Sequence, residues 1–517
     1  MPEETTGLRD ELNGQGALLS NLGAVRAVTG AIEGTLGPRG LDCLLLDESG
    51  GLIVTNDGVT ILQHLQVEHP AGRLVIRAAE AQDRAAGDGT TTAIVLAGAL
   101  IEEGAAQILR GVPVARVVEG IRAGVSGALA ALRDLRRPVR GLDDPILTSV
   151  ALVAGRGDED LARAIVDAAR FLGRDRLCKP GFELAGAVLG LEGCADAAFP
   201  GAVLEREPVA ADMPDRLGNA LVLVLEGALE PVLTGRDAWL SPAGAAHARA
   251  GYKEFRAALE NLASAGATLV LASGGISEGA EQFLAEHRIM CLRRVAEKDL
   301  HRVASHTGAR VLRGVTGCDA AAFGAALGRA GVVAYDRRRR LLEISQGGGL
   351  PEVTVLIGGH TTEVAAERER IARDAAWAVQ HALRGGVVPG GGAAELGLAR
   401  ELACPGAAGM TVFGVACVRE ALKRPLAQMA ANAGYNPLEK VEAAATEQEK
   451  RGRSGIGLDF DTGEVADLAE AGVWDPYPVK EHALRTAGEV AAAILRINNI
   501  LKMRPGSAAE TGWHDPA

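Results

Sequence analysis

Helix-type segments at both ends of the chain enclose a middle segment made of short strand-type runs. Apolar residues recur every three or four positions over residues 91–109 and 363–384, which predicts two long amphipathic helices, and a third is predicted over 478–500. Runs of aliphatic and β-branched residues predict strands in the middle segment. These runs are Ala220–Glu226, Thr268–Ala272, Arg310–Arg313 and Val353–Ile357, and they alternate with predicted helices at Phe255–Ala265 and Ser277–Glu286.

The length of the chain implies more than one domain. With 517 residues it exceeds the size at which a single hydrophobic core stops growing, so two or three domains are expected. No Ser/Pro-rich linker separates the helical segments from the α/β segment. The pattern therefore indicates one α/β domain inserted into a larger helical domain, and three consecutive domains are the alternative.

Charge and cysteine content argue against several classes of protein. A formal net charge of −12 is unfavourable for general nucleic-acid binding, which requires a basic surface. The N-terminus, Met1–Asp10, is acidic and no apolar segment follows it, so no signal peptide is expected. No run of roughly 18 apolar residues predicts a membrane span. The seven cysteines are scattered and form no CxxC pair, which favours a reducing, cytoplasmic location over a disulfide framework.

A phosphate-binding turn is predicted where Gly87–Thr92 (GDGTTT) opens the first long helix. A helix N-terminus presents free N–H groups and a partial positive charge, and the threonine hydroxyls add further donors. Because Asp88 is anionic, its presence fits a divalent cation between its carboxylate and the phosphate. A plain helix cap with flexible glycines is the alternative, although a cap needs only one such residue.

Two further turns have residues suited to a nucleotide site. Gly34–Gly40 (GTLGPRG) has three glycines, which let the backbone approach a ligand closely, although such a cluster also makes an ordinary turn. Thr55–Thr60 (TNDGVT) has strong turn chemistry around Asp57. Taken alone, either turn is compatible with a purely structural role.

Asp374 is a candidate catalytic carboxylate. It borders the apolar stripe of the helix predicted over residues 363–384, so its side chain is expected to be half-buried. It can act as a base in phosphoryl transfer, or it can pair with Arg370 or Arg373. The first lysine of the chain is Lys179, so the region of the glycine-rich turns contains no Walker A motif. The residues therefore predict a Mg-nucleotide site of another type.

Together these segments resemble the chaperonin (HSP60/TCP-1) family. The matching segments keep one order over nearly the whole chain: GTLGPRG (34–40), TNDGVTIL (55–62), EHP (68–70), GDGTTTAIVLAG (87–98), VVPGGGAAE (387–395), ANAGYNP (431–437), TGEVADLAEAGVWDPYPVK (462–480) and LRINNI (495–500). The TNDG and EHP forms resemble the thermosome-like group II branch and its bacterial members, sometimes called group III.

The resemblance implies a multi-domain α and α/β subunit. A helical equatorial ATPase domain is expected at 1–140 and 386–517, and a hinge-like intermediate domain at 141–200 and 353–385. An α/β apical domain that binds substrate is expected at 201–352, with a helical protrusion that forms a built-in lid. Closure of the hinge would bring the intermediate and equatorial parts of the nucleotide site together, which would couple ATP turnover to closure of the chamber.

The resemblance also implies roles within the nucleotide site. Asp374 is expected to activate water, Asp57 to lie near the γ-phosphate as a second catalytic carboxylate, and Asp88 to bind Mg²⁺. The residues expected to bind the nucleotide are Leu36, Gly37, Pro38, Gly58, Gly87, Gly89, Thr90, Thr91, Thr92, Gly391, Gly392, Asp459, Phe460 and Asp475. Asp475 is expected at the ribose and Phe460 near the adenine. The expected cofactors are ATP and Mg²⁺, with K⁺ as an optional further cation.

The lid is predicted from an insertion over residues 233–264. Ser241 and Pro242 suit the N-cap and the first position of a helix, and the insertion resembles the helical protrusion of thermosome-like proteins. The candidate residues for contacts with clients or within the lid are Trp239, Leu240 and Tyr252. An ordinary helix–loop excursion is the alternative.

Two departures from the family pattern concern the sensing of ATP and the composition of the lid. Thermosome-like proteins have a lysine that senses the γ-phosphate after a Thr-Ser pair, whereas Thr148-Ser149 is followed by no such lysine. Arg156 is a nearby cation and is not assigned that role. The lid segment 243–251 (AGAAHARAG) is rich in small residues, which reduces the apolar area it offers to clients.

The predicted function is that of an ATP-dependent chaperonin subunit. Hydrolysis of Mg-ATP would close a ring chamber around non-native protein clients and so prevent aggregation of their exposed apolar surface. The family resemblance implies a homo-oligomeric double ring with eight subunits per ring, and neither nucleic acid nor membrane is an expected partner. The alternative is a nucleotide-binding holdase or scaffold ring with little turnover.

Overall fold

The structure of this chain is a computed structural model that describes residues 3–46, 52–231, 242–402 and 409–500. The chain divides into two compact units. Unit 1 comprises Met1–Val166, Glu183–Ala185 and Ala366–Ala517, and unit 2 comprises Asp167–Phe182 and Gly186–Ala365. The chain therefore leaves unit 1 and later returns to it, whereas the boundaries of the three domains given above remain a prediction.

The helices and strands of the described residues follow in chain order. The α-helices are α1 (Glu3–Ile32), α2 (Gly58–His64), α3 (Pro70–Ala86), α4 (Thr90–Leu109), α5 (Val114–Asp134), α6 (Pro145–Ala154), α7 (Glu159–Leu172), α8 (Arg174–Cys178), α9 (Pro242–Ser264), α10 (Glu278–Glu286), α11 (Glu297–Thr307), α12 (Ala320–Ala326), α13 (Thr362–Gly385), α14 (Ala393–Glu401), α15 (Thr411–Asn432), α16 (Pro437–Arg451) and α17 (Tyr477–Ile494). The strands are β1 (Cys43–Leu46), β2 (Leu52–Thr55), β3 (Val188–Glu192), β4 (Ala197–Phe199), β5 (Gly201–Leu204), β6 (Arg216–Leu225), β7 (Leu269–Ala272), β8 (Met290–Leu292), β9 (Gly328–Asp336), β10 (Leu341–Gly347), β11 (Thr354–Gly359), β12 (Val387–Pro389), β13 (Ile456–Leu458), β14 (Val465–Asp467) and β15 (Trp474–Pro476).

Helix α4 lies at the centre of unit 1. The predicted amphipathic helix over 91–109 is confirmed, and its apolar residues pack against α1, α3, α5, α15 and α17. Among the described helices, α4 is long and apolar enough to cross a membrane by length and composition, and 61% of that window is buried inside the protein. Burial in the core accounts for its apolarity.

Unit 2 is an α/β unit built on a six-stranded mixed sheet of order β5-β10-β9-β6-β7-β8. Strands β6, β7 and β8 are parallel to one another, and β5, β10 and β9 pair antiparallel. Side chains alternate across the sheet, so Leu223 and Leu225 of β6 enter one hydrophobic core and Val222 and Val224 enter the other. A three-stranded sheet of order β3-β11-β4 completes the unit.

Most of the predicted elements are present, and two differ. The predicted helix over 478–500 ends at Ile494, next to Leu495, the last fully buried residue of the core in this segment. The predicted strand Arg310–Arg313 is wrong: it pairs only through an isolated bridge between Leu312 and Leu225. Its first residue, Arg310, donates its N–H to Ala326 rather than to a strand, which prevents a longer ladder.

The predicted lid helix is present as α9, which starts at Pro242. Its later turns pack into unit 2 through buried side chains, including Phe255 and Leu262. Tyr252 is 47% exposed on this helix, whereas Trp239 and Leu240 lie outside the described residues. A role of α9 in a lid therefore remains a prediction.

Candidate active site

A cavity of about 730 Å³ in unit 1 brings together the turns that the sequence singled out. Fifteen of the predicted site residues line it: Leu36, Gly37, Pro38, Asp57, Gly58, Asp88, Gly89, Thr90, Thr91, Thr92, Asp374, Gly391, Gly392, Phe460 and Asp475. These residues come from segments spread over more than 400 positions, between Leu36 and Asp475. The fold therefore assembles one site from separate turns.

Gly87 and Asp459 are predicted site residues that do not line the cavity among the described residues. Gly87 ends α3 with a φ of 59°, and a Cβ atom there would lie 2.2–2.4 Å from atoms of the Trp377 ring. Asp459 accepts hydrogen bonds from the backbone N–H groups of Asp461 at 2.8 Å and Thr462 at 3.4 Å. Both residues shape turns that contribute to the cavity wall, and direct contact with a ligand remains a prediction for them.

The N-terminus of α4 faces the cavity. Its N-cap is Gly89, with a φ of 74°, and no side chain of the described residues caps this helix end. The N–H groups of the first turn are therefore available to an anionic ligand, together with the hydroxyls of Thr90, Thr91 and Thr92. Asp88 does not act as the helix cap, because its Oδ1 accepts a hydrogen bond from the adjacent Gly89 N–H at 2.5 Å. The arrangement fits phosphate binding better than a plain cap.

Asp57 has a structural contact in addition to its place on the cavity wall. It caps α2, accepting hydrogen bonds from the backbone N–H groups of Val59 at 3.3 Å and Thr60 at 3.1 Å. Gly58 follows it, and a Cβ atom there would lie 2.5 Å from Thr91 Oγ1. Glycine at position 58 therefore lets the first turns of α2 and α4 approach each other beside the cavity.

The carboxyl groups of Asp57, Asp88 and Asp374 form an acidic cluster on this wall. Burial raises the pKa of Asp374 well above its usual value, and the nearby charges of Asp88 and Asp57 raise it further. Burial also raises the pKa of Asp88 to about 6, against the lowering effect of the Gly89 N–H. Among the described residues, the two arginines nearest to Asp374 on the same helix pair with glutamates: Arg370 with Glu367 and Arg373 with Glu369.

The acidic cluster fits a divalent cation held jointly with a ligand. Among the described residues no group of three or more His, Cys, Asp or Glu side chains is arranged to bind a metal by itself. A cation at Asp88 would therefore need further oxygen ligands from phosphate and water, which is the usual way in which Mg²⁺ binds nucleotide sites. Burial is the main cause of the raised pKa of Asp88, and the charges of Asp475 and Asp57 add to it, so a bound cation would favour the ionised carboxylate.

Replacing Asp88 by asparagine is expected to stabilise the nucleotide-free protein at neutral pH. The folded-state pKa of this carboxyl lies above its unfolded value, so its ionisation destabilises the folded protein. This destabilisation grows as the pH increases from about 4 to about 6. We expect a gain of about 1–3 kcal/mol in the free energy of unfolding at pH 7.5 and almost none at pH 4. Urea unfolding midpoints without nucleotide measure this, and an equal gain at both pH values would contradict the assigned cause.

The cavity wall also contains a buried ion-pair network around Lys480. Lys480 Nζ lies 2.7 Å from Glu395 Oε1 and 2.9 Å from Asp475 Oδ2. The side chains of Lys480 and Glu395 are 12% and 6% exposed, so both charges are largely removed from water. The carboxylates of Asp475 and Glu395 raise the pKa of Lys480 against the effect of burial. Lys480 thereby fixes the orientation of Asp475, the predicted ribose ligand.

Arg156 is a further residue of the cavity wall. It follows α6 with a left-handed φ of 58°, and its guanidinium group contacts Asn56 Oδ1 and lies 3.5 Å from Glu367 Oε1. Its positive charge lowers the pKa of Asp374, which places it close to the acidic cluster. No role was predicted for Arg156, and Lys480 was not among the predicted site residues. The available signals were the glycines on either side of Arg156 and the position of Lys480 in the matched segment 462–480.

Comparison with known proteins identifies the family. The TCP-1/cpn60 chaperonin family matches residues 28–505. The chain belongs to this family. It is 33% identical to thermosome subunit beta of Archaeoglobus fulgidus, over 94% of this chain and 92% of the relative. It is 32% identical to thermosome subunit alpha of Thermoplasma acidophilum, again over 94% of this chain and 92% of the relative.

A solved structure supports the same conclusion. A group III chaperonin in the open state matches with a TM-score of 0.85 and 42% identity, over 94% of this chain and 99% of that chain. The predicted multi-domain chaperonin fold is therefore confirmed. So is the predicted function of an ATP-dependent chaperonin subunit in protein folding, which is favoured over the holdase alternative. Chaperonins of this type assemble into ring oligomers.

Proposed function

We propose that this chaperonin subunit hydrolyses Mg-ATP in the cavity of unit 1 and that turnover encloses non-native proteins in a ring chamber. The observation that carries the proposal is the position of three carboxyl groups, from Asp57, Asp88 and Asp374, beside the uncapped N-terminus of α4. Donors suited to phosphate and carboxylates suited to a cation and a water molecule thus line one cavity.

The proposed binding mode places the triphosphate at the acidic end of the cavity. The N–H groups of the first turn of α4 and the hydroxyls of Thr90–Thr92 would bind phosphate oxygens, as would the turn around Gly37. Asp475 would bind the ribose with the oxygen atom that Lys480 leaves available, and Phe460 would pack near the adenine.

The three carboxylates would have separate roles in binding the cation and activating water. Asp88 would hold Mg²⁺ together with phosphate oxygens, and bound Mg²⁺ neutralises negative charge on the phosphates. Asp374 would accept the proton of the attacking water, because its raised pKa makes it a stronger base than an ordinary carboxylate. Asp57 lies on the same wall and would help to orient that water.

Arg156 would contact the terminal phosphate, and K⁺ is an optional further cation of the site. The guanidinium group of Arg156 lies near several carboxylates and could form charge-assisted hydrogen bonds with the γ-phosphate of ATP. ADP has no γ-phosphate and would not make this contact. This contact would allow the protein to distinguish ATP from ADP without the lysine that thermosome-like proteins use.

The remaining features of the proposal concern assembly and clients. We propose a cytoplasmic, homo-oligomeric double ring with eight subunits per ring. Non-native proteins are the proposed clients, with contacts at Trp239, Leu240 and Tyr252. These features rest on the family resemblance and on the cysteine and charge content.

One experiment tests the proposal directly. The purified chain is assayed for phosphate release from ATP with Mg²⁺ and with excess chelator, and for refolding of an aggregation-prone client with ATP, with ADP and without nucleotide. We expect Mg²⁺-dependent hydrolysis and a refolding yield that requires ATP. Suppression of aggregation without any hydrolysis would instead establish the holdase, and absence of both activities would overturn the proposal.

A further inference from the structure

A buried glutamine connects the Asp88 turn with helix α17. Gln82, on α3, has no exposed surface. Its Nε2 donates hydrogen bonds to the backbone carbonyl oxygens of Asp88 at 2.8 Å and Val479 at 3.4 Å. Its Oε1 lies 2.6 Å from His482 Nδ1. Both the nitrogen and the oxygen of the Gln82 amide therefore have hydrogen-bond partners inside unit 1.

The contacts define the orientation of the Gln82 amide. Carbonyl oxygens only accept hydrogen bonds, so the amide nitrogen must face Asp88 and Val479. The amide oxygen must then face His482, which donates through a protonated Nδ1. The side chain of Thr486 lies 3.3 Å from the same His482 nitrogen. The amide orientation that places a donor at Asp88 is therefore compatible with a proton on His482 Nδ1.

The backbone around Asp88 has little conformational restriction of its own. Gly87 and Gly89 flank it with φ values of 59° and 74°, and glycine adopts many conformations at similar free energy. The position of the Asp88 carboxylate therefore depends on contacts that hold this turn from outside. The hydrogen bond from Gln82 to the Asp88 carbonyl is such a contact, and it is protected from water because Gln82 is fully buried.

We propose that Gln82 is a positioning residue for Asp88, and that His482 holds Gln82 in the required orientation. Gln82 lies outside the set of cavity-lining residues, so its effect passes through the backbone of Asp88. The inference rests on the proposed role of Asp88 in binding Mg-nucleotide. Groups that orient a metal ligand commonly change metal affinity by about 10–100-fold when removed.

The test compares Gln82→Met with a matched control, Gln380→Met. Gln380 is also fully buried in unit 1, and its Oε1 accepts a hydrogen bond from the Leu184 N–H at 3.0 Å. Both substitutions remove a buried amide of similar size: the first removes the hydrogen bond to the Asp88 carbonyl, and the second removes the hydrogen bond from the Leu184 N–H. The readouts are the Mg²⁺ concentration that gives half-maximal binding of a fluorescent ADP analogue, the kcat of ATP hydrolysis, and hydrogen exchange of residues 87–92 without nucleotide.

We expect Gln82→Met to raise the half-maximal Mg²⁺ concentration by about tenfold and to speed hydrogen exchange over residues 87–92, with a smaller change in kcat. Gln380→Met should leave all three near the native values. His482→Gln retains a donor toward Gln82 and should resemble the native protein, whereas His482→Leu should resemble Gln82→Met.

The outcomes separate this inference from the proposed function. Equal effects of Gln82→Met and Gln380→Met on exchange and on Mg²⁺ dependence, or no effect of Gln82→Met, would overturn the positioning role. If the native chain shows no Mg²⁺-dependent nucleotide binding, the proposed function fails. The exchange measurement then still shows whether Gln82 holds the turn, because it uses the nucleotide-free protein.

Discussion

Replacing Asp374 by alanine is expected to lower the rate of ATP hydrolysis by about 10²–10⁴-fold and to change nucleotide affinity little. Asp374 lies on the cavity wall, and burial together with Asp88 and Asp57 raises its pKa. A base with a raised pKa accepts a proton from water more readily, so its loss should affect the chemical step rather than binding. Single-turnover hydrolysis and equilibrium binding of a fluorescent ADP analogue measure the two quantities separately.

The control for this prediction is Asp83→Asn. Asp83 is also a carboxyl whose pKa is raised, by burial and by Asp57, yet it lies outside the cavity-lining set. We expect its hydrolysis rate to remain within about threefold of native, since it does not contact the proposed ligand. Hydrolysis that survives Asp374→Ala unchanged would remove the catalytic assignment, and Asp57 would then be the next carboxylate to replace.

The second large effect is expected on stability. Lys480→Met should lower the free energy of unfolding by about 3–5 kcal/mol, because it leaves two carboxylates without their shared counter-ion in a buried setting. Glu395 is especially sensitive: its Oε2 atom is buried and has no hydrogen-bond partner among the described residues. Urea unfolding of the nucleotide-free protein, followed by circular dichroism, measures the loss.

Two further variants show whether the cause is the buried charge. Lys423→Met breaks an ion pair with Glu420 in which the side chains are 29% and 49% exposed, and it should cost less than about 1 kcal/mol. Adding Glu395→Gln to Lys480→Met should recover part of the lost stability, because it removes one uncompensated charge. If Lys480→Met costs no more than Lys423→Met, the buried network does not stabilise the fold.

The sequence predicted those parts of the fold that local periodicity specifies. Helix α13, predicted over 363–384, spans Thr362–Gly385, because its apolar stripe and the glycines that end it are local signals. The strand predicted at Arg310–Arg313 fails for a non-local reason. Whether so short a run joins a sheet depends on its pairing with a neighbouring strand. Here the N–H of Arg310 donates to the carbonyl oxygen of Ala326, and the run pairs only through the Leu312–Leu225 bridge.

The candidate site also has parts that local sequence predicts and parts that it does not. Turns rich in glycine and hydroxyl residues, such as Gly87–Thr92, have a composition that indicates phosphate binding directly. The contacts that support these turns cannot be predicted from one sequence, since Lys480 and Glu395 are 85 positions apart and Gln82 and His482 are 400 apart. Only the folded chain brings α3, α14 and α17 together around the cavity.

The contact between Gly87 and Trp377 has a consequence for how this protein can evolve. Trp377 is three residues from Asp374, so both side chains lie on the same side of α13. A side chain larger than hydrogen at position 87 would collide with the Trp377 ring, so either the ring or the part of α13 that also carries Asp374 would have to shift. Position 87 is therefore subject to the same selection as the proposed catalytic carboxylate, although glycine has no side chain to offer the reaction. A mutation at position 87 would lower turnover, as a mutation of an active-site residue would.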